Sequence, residues 1–317
     1  MISFFRKKPA ESSANMRLDA DPADLSEYDA FGPWIYPIRS RDEMPPRFRE
    51  CYEELQSSTF FFKIPVNADR AAMRPGMDLY RSVLAVYLDR VVVLDWNGSA
   101  VTRRDIAMET IEAIRTSSDL LPSTLTVYLA EGDVFRLDYN AVSSHEIDKL
   151  VDFLRERVIA CRASSQESIP DSAEKRPGRP SEEIRDFFYH GMWEARIRHA
   201  PSARIVHWEP PAISCRQYGG WGRSSLGCLM LDEGGDLVVI NRGQFMRGWL
   251  ETVYSIANLY IPWAAVQAAE LIQKPSGRKR FIPTVRLTLQ SHVFDLELFA
   301  PTGERQQLLT SLNELKG

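Results

Sequence analysis

The chain has 317 residues, of which 44% are hydrophobic, so it is long enough to bury two ordinary hydrophobic cores. Its formal net charge of -4 gives no reason to expect nucleic acid as a partner, because nucleic-acid-binding proteins concentrate basic residues. No apolar run approaches the roughly 20 residues that a membrane-spanning helix needs.

Residues 1–27 are polar and we predict a flexible amino-terminal segment there. The apolar residues Phe4 and Phe5 precede the basic run Arg6-Lys7-Lys8, whereas a secretory signal has the opposite order. We therefore predict a cytoplasmic protein. One interpretation of this segment is a frayed terminus, and the other is a weak peripheral attachment to the inner face of the membrane.

The first half of the chain is rich in predicted strands. Alternating hydrophobicity and turn residues, including Asn97-Gly98, place strands at 59–66, 80–88, 91–96, 100–103, 106–115, 125–130 and 134–139. An amphipathic helix follows, with an apolar stripe of Ile147, Leu150, Val151, Leu154 and Val158.

Residues 161–181 contain Pro170, Pro177-Gly178 and Pro180, a composition typical of a linker. A short helix is predicted from Ser181 to about Gly191. The second half then repeats the first, with a closing helix that carries Leu308, Leu309, Leu312 and Leu315 on one face. Its predicted strands are 203–208, 212–217, 226–231, 237–241, 284–290 and 292–299.

This repeated pattern resembles the pleckstrin-homology-like and GRAM-like domains of bacteria. The segment Ile261-Pro262-Trp263-Ala264-Ala265-Val266 is similar to a strand entry of those domains, and the last hairpin and helix resemble their closing elements. The resemblance implies a mainly β fold with helices (α+β), made of two tandem antiparallel β-barrels, each closed by a carboxy-terminal amphipathic helix. The predicted domains are 28–160 and 182–317, joined by 161–181.

Members of this family bind phosphoinositides, peptides or partner proteins. The resemblance therefore implies a non-enzymatic adaptor or scaffold that binds a protein partner, whose identity the sequence does not give. The alternative is peripheral attachment to anionic lipid, because basic and aromatic residues suit a headgroup surface. The candidate residues for lipid or partner contact are Arg216, Tyr218, Trp221, Arg223, Arg278, Lys279 and Arg280.

An aromatic stretch in the second half has no counterpart in the first. Its residues Phe245, Trp249 and Tyr254 are candidates for a surface that meets a partner, since aromatic side chains are enriched at the centres of interfaces. Burial of the same side chains between or over the predicted domains is the competing interpretation.

No pattern in the sequence predicts a catalytic, cofactor or metal site. His190, His199 and His207 have no metal-ligand spacing, which leaves a metal-dependent hydrolase as a remote third hypothesis. The carboxylates of Asp105, Glu109 and Glu112 are expected to solvate a surface. The cysteines Cys51, Cys161, Cys215 and Cys228 show no CxxC pairing and are expected to be reduced.

Overall fold

The computed structural model describes residues 22–66, 68, 70–165, 183–213, 224–225, 227–242, 255–275, 281–298 and 301–316. The chain divides into two compact units. The first comprises Met1–Val86 and Val92–Arg104, and the second comprises Tyr87–Val91 and Asp105–Gly317.

The first unit is built on a five-stranded sheet in which the strands are arranged in chain order. The Asn97-Gly98 turn was predicted correctly: the Asn97 Oδ1 atom accepts hydrogen bonds from the Ser99 and Ala100 N–H groups, and Gly98 has a φ of 97°. The elements are helices α1 (Pro22–Ala30) and α2 (Tyr52–Leu55) and strands β1 (Tyr36–Pro37), β2 (Phe60–Pro65), β3 (Tyr80–Val86), β4 (Arg90–Trp96) and β5 (Val101–Ala107).

The second unit is built on a seven-stranded antiparallel sheet. Three of its strands come from the first half of the chain, namely β6 (Ile111–Asp119), β7 (Pro122–Leu129) and β8 (Val134–Asn140). The other four come from the second half, namely β9 (Arg204–Glu209), β12 (Cys228–Asp232), β13 (Asp236–Arg242) and β14 (Ser255–Pro262). The order across the sheet is β8-β7-β6-β14-β13-β12-β9. Short strands β10 (Ala212–Ile213) and β11 (Ser224–Ser225) pair separately.

A three-stranded antiparallel sheet completes the second unit. It consists of β15 (Ala268–Pro275), β16 (Phe281–Thr288) and β17 (Val293–Glu297) in that order. Helix α5 (Thr302–Lys316) packs against β15 and β9, and its Leu308 and Leu312 are buried in one core with Val285, Leu287 and Leu298.

Helix α3 (Ser144–Ser165) presents the predicted apolar stripe, because Ile147, Leu150, Val151, Leu154 and Val158 are all buried. It packs against β6 and β14 and continues to Ser165, so the start of the predicted linker is helical. Helix α4 (Phe187–His199) begins later than predicted. Its first turn is capped by Asp186, whose Oδ1 atom accepts the N–H groups of Phe188 and Tyr189.

The mainly β composition with helices is confirmed, but the two closed barrels are wrong. The described strands lie in open sheets, and β6 of the first half pairs with β14 of the second over the register Asp119↔Ser255 to Ile114↔Tyr260. Hydrophobic alternation identifies a strand and its buried face, whereas the choice of neighbour depends on which unpaired edges meet in three dimensions.

The order of elements does repeat. In the first half, four strands (β2–β5), a 3₁₀ turn at Met108–Thr110, three strands (β6–β8) and helix α3 follow one another. In the second half, β9 and β12–β14, a 3₁₀ turn at Trp263–Ala265, β15–β17 and helix α5 do the same. The two halves are therefore equivalent in sequence order and joined through one shared sheet.

Candidate interaction surface

The residues predicted to contact lipid or a partner lie outside the described residues. Arg216, Tyr218, Trp221 and Arg223 belong to 214–223, Phe245, Trp249 and Tyr254 belong to 243–254, and Arg278, Lys279 and Arg280 belong to 276–280. The structure consequently neither assembles these side chains into a site nor separates them.

The described ends of segment 243–254 show where it is attached. Arg242 is the last residue of β13 and Ser255 is the first residue of β14, so the segment connects these two strands in sequence. Ser255 pairs with Asp119, the last residue of β6. The predicted aromatic stretch is thus attached at the sheet end that carries the β6–β7 turn.

That turn carries an exposed apolar cluster, here called the leucine tip and made of Leu120, Leu121 and Val142. The three side chains are 62%, 55% and 49% exposed. Leu120 and Leu121 join β6 to β7, and the Ala141 N–H donates to the Leu121 carbonyl at 2.7 Å, which brings Val142 beside them. Scattered apolar residues on a surface are ordinary, but three adjacent ones are typical of an interaction site.

Leu120 also has an unfavourable backbone conformation. Its φ of 58° lies in the left-handed region, which costs a residue with a Cβ atom about 1–2 kcal/mol relative to the right-handed region. Glycine adopts this conformation without that penalty. A large apolar side chain that faces water from a strained position is unfavourable in the isolated molecule, and contact with a partner would offset both penalties.

Polar groups surround the leucine tip. The Ser118 hydroxyl donates to the Leu120 carbonyl at 3.4 Å, and the Asn140 Oδ1 atom accepts the Val142 N–H at 3.1 Å. The carboxyl of Asp119 lies next in sequence to Leu120. An apolar centre with a polar border is the common composition of a protein-binding patch.

The three histidines do not form a metal site. His190 and His199 lie nine positions apart on α4, which separates them by about 13 Å along the helix axis. His207 is buried in β9. Within the described ranges, no group of three or more His, Cys, Asp or Glu side chains is placed to hold a metal ion.

The Glu112 carboxylate and the cysteine thiols are other side chains that could take part in catalysis. Glu112 is buried, and both of its carboxylate oxygens accept the Ser291 N–H, at 3.1 and 3.2 Å. Cys51, Cys161 and Cys228 are free thiols, whereas Cys215 lies outside the described residues. Burial raises the pKa of Cys228, and the nearby Glu209 adds to the shift, so its thiol stays protonated and weakly nucleophilic.

A buried charge cluster, absent from the sequence predictions, joins α3 to the second half of the chain. This Arg155 cluster contains Arg155, Arg196, Glu233, Asp236 and Tyr260. Arg155 donates to both Asp236 oxygens, at 2.8 and 3.0 Å, and to Glu233, while its guanidinium carbon lies 4.4 Å from the centre of the Tyr260 ring. Arg196 donates to the Tyr260 hydroxyl.

The charges within the Arg155 cluster balance. Burial on its own would lower the pKa of Arg155, but its hydrogen bonds to Asp236 and the charges of Asp236 and Glu233 outweigh burial and raise that pKa. The pKa of Arg196 is raised in the same way, against burial, by Tyr260 and Glu233. Arg155 and Arg196 face the buried carboxylates of Glu233 and Asp236, and Arg155 also donates to the exposed Asp152 at 3.4 Å, so acidic side chains of the protein itself pair with both guanidinium groups.

Comparison with known proteins found neither a matching family model nor a matching curated sequence. Among the helices of the described ranges, none combines the length and the apolar character needed to cross a membrane.

Proposed function

We propose that the chain is a non-enzymatic adaptor that binds a partner protein through the leucine tip. The observation that carries this proposal is the combination, at Leu120, of a left-handed backbone and an exposed apolar side chain. The neighbouring Leu121 and Val142 are also exposed and extend the apolar area.

The resemblance to pleckstrin-homology-like domains belongs to this proposal. Its support is the repeated order of four strands, a 3₁₀ turn, three strands and a helix in each half. Closed barrels are not part of the proposal, and fold alone does not select a ligand.

Replacing Leu120 by glycine separates binding from folding. Leu120→Gly removes the side chain and relieves the strained φ, so we expect the free energy of unfolding in urea to rise by about 1 kcal/mol. A photoreactive amino acid at position 121 should crosslink one protein of defined mass in native cytosol, and Leu120→Gly should abolish that product. Loss of binding in a more stable protein excludes unfolding as the cause.

Leu88 supplies the matched control, because it is an equally exposed leucine in the same unit but outside the leucine tip. Leu88→Gly should leave the crosslinked product unchanged, and a photoreactive group at position 88 should not yield it. Identical products from positions 88 and 121 would contradict the proposal. Flotation of the wild-type protein, but not of Leu120→Gly, with anionic vesicles would show that the tip contacts lipid and would support the membrane alternative instead.

A further inference from the structure

The repeat makes two pairs of strands equivalent. The 3₁₀ turns Met108–Thr110 and Trp263–Ala265 correspond in the two halves. Strand β5 ends directly before the first turn and β14 ends directly before the second, so β5 is equivalent to β14. Strand β6 follows the first turn and β15 follows the second, so β6 is equivalent to β15.

One strand from each equivalent pair forms the junction between the two halves within the chain. Strand β6 pairs with β14, which forms the junction between the two halves. Their equivalents are terminal strands: β15 is the last strand of the three-stranded sheet and β5 is the last strand of the five-stranded sheet, in the described strand order. We propose that β15 of one copy of this chain pairs antiparallel with β5 of a second copy, which repeats between molecules the β6–β14 junction within each molecule.

The internal junction fixes the register of this pairing. Leu259 of β14 lies opposite Arg115 of β6. Arg104 is equivalent to Leu259, because each lies four positions before the 3₁₀ turn of its half. Glu270 is equivalent to Arg115, because each lies seven positions after the first residue of that turn, Trp263 or Met108. The transferred register therefore sets Arg104 of one copy opposite Glu270 of another, and oppositely charged residues that face each other across two strands stabilise their pairing.

A row of alternating charges already leads to this position. Across the three-stranded sheet, Glu270 lies opposite Arg286, which lies opposite Asp295. Arg286 donates to the two Asp295 oxygens at 2.8 and 3.2 Å. The row ends in the exposed acid Glu270 on the terminal strand, so the Arg104 guanidinium of a second copy would continue the alternation.

The helices support the same arrangement. Helix α3 packs against β6 and also against β14, so it covers the internal junction. Helix α5, its equivalent, packs against β15 and is placed to cover an incoming strand in the same way. Because the two edges differ, the contact is head-to-tail, and each copy keeps one edge of each kind for further copies.

Charge reversal tests this proposal on the full-length chain. Sedimentation velocity over a concentration series should show wild-type species larger than the monomer. Arg104→Glu and Glu270→Arg should each weaken self-association about tenfold, because like charges then face each other. The double variant Arg104→Glu/Glu270→Arg should restore it. Arg136→Glu, on the terminal strand β8, changes the net charge equally and should have no effect.

The pattern among the variants decides the outcome. Weakening by both single changes with recovery in the double variant supports the β5–β15 contact. A wild-type protein that stays monomeric throughout the series overturns it. Self-association that neither single change weakens, or that the double variant fails to restore, also overturns it, because the contact then uses another surface. Circular dichroism of each variant confirms that the fold is retained.

Discussion

Arg155 connects residues that are far apart in the sequence. Its guanidinium reaches from α3 to Glu233 and Asp236, which flank the turn before β13, and lies over the ring of Tyr260 on β14. Both carboxylates are buried, so neither can be hydrated when its cation is removed. A buried charge without its partner is far more costly than a buried pair is stabilising.

Replacing Arg155 should therefore destabilise the protein strongly. We expect Arg155→Met to lower the free energy of unfolding by about 3–5 kcal/mol, because Asp236 is then buried without its cation and Glu233 keeps only Arg196, at 3.9 Å. Urea denaturation at neutral pH measures the change. Combining Arg155→Met with Glu233→Gln and Asp236→Asn should recover part of the loss, since the uncompensated charges are then absent.

Arg136 provides the control for that substitution. It pairs with Asp138 on β8, where both side chains are largely exposed. Arg136→Met should change the free energy of unfolding by less than about 1 kcal/mol. A similarly small effect of Arg155→Met would show that the Arg155 cluster does not hold α3 in place.

Sequence periodicity predicts the buried stripe of α3 but not the role of Arg155. The stripe follows from helical spacing alone, so Leu154 and Val158 could be assigned to the core. Arg155 lies at the edge of that stripe, and a charged residue there usually reaches solvent. Its partners Glu233 and Asp236 come close only because the seven-stranded sheet brings β13 beside α3, which no local pattern contains.

At the scale of elements, strand positions were predictable and strand partners were not. Predicted segments such as 134–139 and 237–241 fall within β8 and β13. The pairing of β6 with β14 was missed because alternation carries no information about distant edges. The start of α4 was missed for a local reason: Asp186 caps it, although Ser181 was an equally good cap by residue type.

The three-stranded sheet should contribute to stability in a pH-dependent way. The hydrogen bond from Arg286 lowers the pKa of Asp295 below its ordinary value of 3.8. The folded state therefore binds this proton more weakly than the unfolded state, so the contribution is full above pH 3.8 and is lost as pH falls through the lower folded value. Asp295→Asn should make the urea midpoint fall less steeply in that range.

Arg286→Met tests whether the Arg286–Asp295 hydrogen bond causes this pH dependence, by removing the donor instead of the acceptor. Without the arginine, Asp295 should titrate closer to its ordinary value, so the pH profile should resemble that of Asp295→Asn. A wild-type profile in either variant would show that this pair does not contribute to acid sensitivity.

At the scale of the whole molecule, the second unit contains strands from both halves of the chain. Three kinds of contact join the halves without using residues 166–182. They are the strand pairing from Ile114↔Tyr260 to Asp119↔Ser255, the side-chain hydrogen bond between Asn258 and Thr116, and the Arg155 cluster. Contacts between the loop tips add to them, since the Glu131 N–H donates to Ser291 and His292 lies 2.8 Å from the Leu129 carbonyl. A covalent connection between the halves is therefore not needed to keep them together.

Cleavage within 166–182 tests this conclusion. A protease site inserted there should allow complete cutting while the two fragments continue to elute together at the size of the intact chain. Strand pairing, the buried cores and the Arg155 cluster persist after the cut, and only the effective concentration that the connection provides is lost. The same cut in the Arg155→Met background should release the fragments at lower urea concentration than in the wild type. Separation of the wild-type fragments in native buffer would mean that the β6–β14 junction is too weak to join the halves. That outcome would also remove the basis for the proposed β5–β15 contact between copies, which is derived from the β6–β14 junction.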